Sequence, residues 1–140
     1  MRSRPQAHRL KAKLRRRLGG DRGVGSVEFA VLAVVVLALG FTIIQTGLYF
    51  HAKSVAQSAA RQGVEAGRRY NAGAGDGVAQ AQTYLARFGD SVRGASVSSG
   101  GSTAETVRIT VRGHVATLVP GLSLSVAEHA DGPVERVTAP

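Results

Sequence analysis

From Phe29 to Ile44 the chain runs 16 residues without a charge and with a single hydroxyl, Thr42. Extending the run to Phe50 gives 22 residues. As a helix that is roughly 33 Å, enough to cross a bilayer's hydrocarbon core. Tyr49 and Phe50 stand where aromatic side chains prefer the membrane–water boundary. The alternative is a buried core helix of a soluble protein. A chain of 140 residues has little material to cover a helix that is apolar on every side. A single transmembrane helix over residues 24–50 is therefore expected, with one small domain besides.

The residues just before the run narrow the possibilities. Gly23, Val24, Gly25, Ser26, Val27, Glu28 and Phe29 form a Gly-x-x-x-x-Glu-Phe string. A carboxylate at the mouth of a membrane segment is costly unless it is paired or reaches the interface. Glu28 could simply snorkel to the headgroups. The string is also similar to the pattern that prepilin peptidases read, cutting after the glycine on the cytoplasmic side. Gly23 and Val24 would then flank the cleaved bond, with Glu28 and Phe29 completing recognition.

The formal charge of +9 suggests nucleic acid until it is located. Residues 1–23 hold nine Lys/Arg against one acid, a net +8, and the rest of the chain is near neutral. The basic segment has no aromatics interleaved to stack on bases. Abutting an apolar helix, it acts instead as a retention signal, placing the N-terminus inside and the C-terminal region outside. Only Lys53 follows within ten residues of Phe50. Cleavage as an ordinary secretory signal is disfavoured, because Phe50-His51-Ala52 puts a bulky ring at the −3 position. No nucleic-acid partner is expected.

Helical periodicity continues over residues 51–70. It places Ala52, Val55, Ala56, Ala59, Gly63, Ala66 and Tyr70 on one stripe, with His51, Arg61, Gln62, Glu65 and Arg69 opposite. Ala52, Ala56 and Ala60 repeat at four, as do Ala59, Gly63 and Gly67, which permits close helix packing. Residues 71–77 are glycine-rich and are read as a linker, with Asp76 as N-cap of a second helix, Val78–Phe88. From Gly94 the period becomes two. Ala95–Ser99 is a short candidate strand. Thr106–Arg112 alternates with Val107, Ile109 and Val111 inward, and Val115–Val119 is a possible extension. After the Pro120-Gly121 turn, Leu122, Leu124 and Val126 alternate again, and the polar residues from Ala130 end the sheet and fray. The expected fold class is α+β: a transmembrane helix continuing into an amphipathic one, a second short helix, and an antiparallel sheet of about three strands over residues 78–140.

With no cysteine there is neither a disulfide framework nor a thiolate metal site. His8, His51, His114 and His129 share no metal-ligand spacing, and no acid–base pair or nucleophile elbow is evident. No enzyme activity, cofactor, metal or small-molecule substrate is expected.

Taken together, the box Gly23-Val-Gly-Ser-Val-Glu28-Phe29-Ala30 and the continuation GLYFHAKSVAQSAARQGVEAGRRY, with Ala59, Ala60, Arg61 and Gly63, resemble the TadE-like minor pseudopilins of bacterial Flp/Tad tight-adherence pilus systems. The resemblance covers about residues 22–70. It implies cleavage after Gly23 by a prepilin peptidase, residence in the cytoplasmic membrane, and work with other pilins and Tad assembly proteins in a pilus or related secretion machine. Many relatives carry a proline midway down the helix, which this chain lacks. The competing reading is an uncleaved, signal-anchored single-pass protein whose external αβ domain binds a ligand or partner.

Overall fold

The computed structural model of the chain describes residues 22–136; most of the basic leader and the last four residues, with the fraying expected there, lie outside them. Helix α1 spans Arg22–Gly67 and α2 spans Ala74–Phe88, followed by a short 3-10 turn, Gly89–Ser91. Strands β1 (Val92–Ser98), β2 (Thr106–Val115) and β3 (Leu124–Pro133) form one antiparallel sheet in the order β1-β2-β3. The architecture is α+β. The chain divides into two compact units, one ending at Thr42 and one beginning at Ile43.

In the first unit, the residues of α1 from Gly25 to Thr42 are exposed apart from the partly covered Ala33 and Gly40. Thr42 tucks its hydroxyl back onto the carbonyl of Ala38 at 2.8 Å, so this polar group leaves no unmet donor on an apolar surface.

The second unit is built on the rest of α1. Ala52, Ala56, Ala59 and Ala60 are fully buried, and Gly63, Val64 and Gly67 complete the covered stripe. Tyr70 does not belong to it. The helix stops at Gly67, Asn71 takes a left-handed backbone (φ 62°) in the turn to α2, and Tyr70 is left exposed. Helix α2 starts four residues earlier than the sequence suggests, and so includes Gly75–Gly77 of the expected linker. Its N-cap is Gly73, not Asp76. Asp76 sits at the third helical position, where its carboxylate accepts the Gly73 N–H at 2.8 Å and faces the positive end of the helix dipole.

Both helices cover one face of the sheet, where Val107, Ile109, Val111 and Val115 point inward and are buried. Ile109 and Val111 are the largest fully buried side chains, each contributing about 1.5–3 kcal/mol by leaving water. Small residues on α1 bring the strand close: Ile109 lies over Gly63 and Val107 over Gly67. Strand β2 thus runs antiparallel to α1.

The strand ends differ from the expected ones. β1 begins at Val92 and passes through a bulge between Arg93 and Ser96, where Gly94 adopts φ 60°. Beyond Val115 the chain leaves the sheet, so residues 116–119 form a loop, and Leu122 also lies outside β3. β3 instead continues through Ala127–Pro133 as an edge strand, in register with β2 from Leu124↔Val115 to Pro133↔Thr106. The first residues of the polar segment expected to end the sheet, Ala130–Pro133, are therefore the last part of its third strand. Its Gly132 lies against Val64, and after it Val134 N–H and Glu135 N–H donate to the carbonyls of Glu105 and Arg68.

Candidate functional site

The residues marked for recognition occupy the start of α1. Gly23 and Val24 have helical backbone, and Glu28 and Phe29 follow on the same helix, both exposed. The first turn of α1 holds no acidic residue to favour its positive end.

Downstream, the apolar surface has a definite end. Large side chains stay exposed through Ile43 (72%) and Ile44 (53%). At Gln45 the pattern breaks, with only 9% of the residue accessible. Its side chain turns onto the loop between β2 and β3: Leu118 N–H donates to Gln45 Oε1 at 3.0 Å, and Gln45 Nε2 donates to the Ala116 carbonyl at 3.4 Å. Leu48 and Tyr49 then pack against the core, while Phe50 stays exposed. The exposed apolar stretch of α1 therefore ends at Ile44, and Gly25–Ile44 is 20 residues or roughly 30 Å of helix, close to the hydrocarbon thickness of a bilayer. Of the last six residues of the expected segment to Phe50, Gln45, Leu48 and Tyr49 are covered and Thr46, Gly47 and Phe50 exposed.

The residues marked for helix packing, Ala52, Ala56, Ala59, Ala60, Gly63 and Gly67, face this chain's own sheet and second helix. A Cβ on Gly63 would lie 2.7 Å from the Gly77 carbonyl oxygen and 3.1 Å from Ile109. The stripe makes an intramolecular contact with α2 through Gly77, a partner that the glycine-rich composition of its surroundings concealed.

On the outer face of the sheet, Arg108 and Asp131 form a two-pronged pair, Nε to Oδ1 at 2.6 Å and Nη2 to Oδ2 at 2.9 Å. The hydrogen bond from Arg108 holds the Asp131 carboxyl below the usual carboxylate range, and Asp131 in turn raises Arg108. Lys53 meets Glu128 at 3.6 Å across α1 and β3. Among the described residues no group of three His, Asp or Glu side chains is placed to hold a metal ion.

Compared with known proteins, residues 23–65 match the family described as TadE-like protein. No curated protein and no solved structure matches the chain. The matched segment opens at Gly23, takes in Glu28 and the apolar helix, and closes within the small-residue stripe that carries the αβ domain. Over residues 23–65 the chain is similar to TadE-like proteins.

Proposed function

We propose that the protein is a membrane-anchored minor pseudopilin, cleaved after Gly23 by a prepilin peptidase, that acts structurally and not as an enzyme. Its TadE-like segment points to a part in Flp/Tad pilus assembly. The observation that carries the finer reading is the Gly23/Glu28 box at the head of an apolar helix exposed from Gly25 to Ile44. A helix surface this apolar and exposed can lie in lipid or against the helices of other pilins. The two surroundings are similarly apolar, so exchange between them is governed by packing and polar contacts.

Cleavage would supply such a contact. It removes a segment of net +8 and creates an α-amino group on Val24, positively charged at neutral pH. In type IV-like pilins, which this box resembles, that group pairs with the box carboxylate of a neighbouring subunit. Glu28, costly alone at the apolar boundary, would be neutralised in the same way. The C-terminal domain would lie outside the cytoplasmic membrane, with other pilins and Tad assembly proteins as its partners.

The test is Glu28→Gln, read in one set of cells for mature length and for co-purification with pilus components. The account expects near-normal cutting at Gly23 and loss of association. Normal association of the processed Glu28→Gln chain would overturn the role given to the carboxylate.

A further inference from the structure

We infer that the β2–β3 loop, residues 116–123, is a second membrane anchor that dips its apolar tip into the lipid interface. The inference rests on the membrane reading of α1. Leu118, Val119 and Leu122 are exposed at 48%, 44% and 41%. They lie in a stretch from Val115 to Ala127 that contains no charged residue. At a loop tip, three large apolar side chains in water are unfavourable and call for a cover.

Three observations point to lipid as that cover. First, Gln45 bonds the loop at both Ala116 and Leu118, directly after the exposed Ile43 and Ile44. The loop is thereby fixed at Gln45, next in sequence to the exposed Ile43 and Ile44. Second, the distances agree. From Gly67, which meets Val107, down to Gln45 is roughly 33 Å of helix, and from Val107 to Leu118 is about 36 Å of extended chain. Strand β2 therefore descends the whole packed length of α1, and its loop emerges at the apolar end.

Third, several of the loop's backbone groups already have partners within the chain, which lowers the cost of entering a medium poor in water. Leu118 N–H is bonded to Gln45 and Leu122 N–H to the Val119 carbonyl at 3.2 Å. The Leu122 carbonyl accepts from the Thr117 hydroxyl at 2.9 Å, and Pro120 has no N–H to satisfy. Gly121 closes the turn with φ 82°, a conformation that lets the tip stay tight. The first ion pair above this level is Lys53 with Glu128, and Phe50 lies between as an interfacial aromatic. A helix alone leaves the domain free to rotate about its axis. An off-axis apolar contact would fix which face of the domain meets the membrane.

The chain has no tryptophan, so single-tryptophan variants of the full chain report the position directly. Leu118→Trp, Leu122→Trp, Phe41→Trp and Ala104→Trp are each reconstituted in phosphatidylcholine–phosphatidylglycerol vesicles with bromine on the acyl chains. Circular dichroism checks each fold, and either loop variant suffices if the other fails to fold. The expected result is bromolipid quenching and protection from aqueous iodide at positions 118 and 122. Ala104→Trp, in the β1–β2 turn at the far end of the sheet, should show the reverse. Iodide quenching at 118 and 122 without bromolipid quenching overturns the inference. So does protection from both quenchers, which would mean that a second copy of the chain covers the loop. Phe41→Trp separates the two readings: if it too escapes bromolipid quenching, the membrane span itself is wrong.

Discussion

Gly63 on α1 and Gly77 on α2 approach so closely that a Cβ on either would stand 2.7 Å from the other's carbonyl oxygen. The obstruction is backbone on both sides and cannot rotate away. Gly63→Ala and Gly77→Ala should each destabilise the domain by about 1–3 kcal/mol. Gly75, two residues away on the same helix, has open space where its Cβ would go. Gly75→Ala should therefore stabilise by up to about 0.5–1 kcal/mol. Thermal unfolding of the three variants checks the pair of signs; a loss at Gly75 equal to that at Gly77 would mean that helix packing is not the cause.

The Arg108–Asp131 pair gives stability a pH dependence of known sign. Asp131 titrates below its unfolded value, so its contribution is complete above about pH 4 and disappears as pH falls through the lower, folded value. Asp131→Asn should lower the melting temperature slightly at neutral pH, and the gap to wild type should close in acid. A gap that persists unchanged at the acid end would assign the effect to something other than this carboxylate. Both groups are solvent-accessible, so added salt should also narrow the gap.

Gln45 holds the β2–β3 loop through one accepted and one donated hydrogen bond. Gln45→Leu keeps the bulk and removes both, at a cost of about 1 kcal/mol, so the Leu118 amide should exchange with solvent about fivefold faster. Gln45→Glu retains an acceptor and should preserve more of that protection. Hydrogen exchange on the full chain in micelles reads both, and an unchanged Leu118 amide in Gln45→Leu would show that the loop is held by other means.

What the sequence made legible was the local pattern. The uncharged run announces an apolar helix, and the alternation Val107, Ile109, Val111 places β2 with its correct inner face, because one side of the strand is buried and the other wet. What it concealed depends on distant partners. Gly75–Gly77 read as a breaker on helix propensity, yet Gly77 is helical because Gly63 needs a close neighbour. The second half of β3 is polar because it forms an edge with an open outer face, and its Gly132 is understood only beside Val64. Gln45 looks like the fading end of an apolar run until Leu118, 73 residues away, is brought to it. The Gly23/Glu28 box is read from sequence alone, since the role proposed for it rests on spacing along one helix.

The charge asymmetry makes an independent prediction about orientation. With net +8 before Val24 and only Lys53 soon after the helix, residues 51–140 should lie outside the cytoplasmic membrane. A reporter active only outside the cytoplasm, fused after Pro140, should be active. A silent fusion of proven abundance would reverse the assignment.

The most direct measurement is the N-terminal residue of the protein recovered from membranes of cells with an active prepilin peptidase. The account expects Val24, with the segment of net +8 gone, and a full-length chain when Gly23 is replaced by Leu. Recovery of the wild-type chain only with residues 1–23 still attached would contradict it, leaving a signal-anchored protein in which Gly23 and Glu28 stand at their spacing by accident.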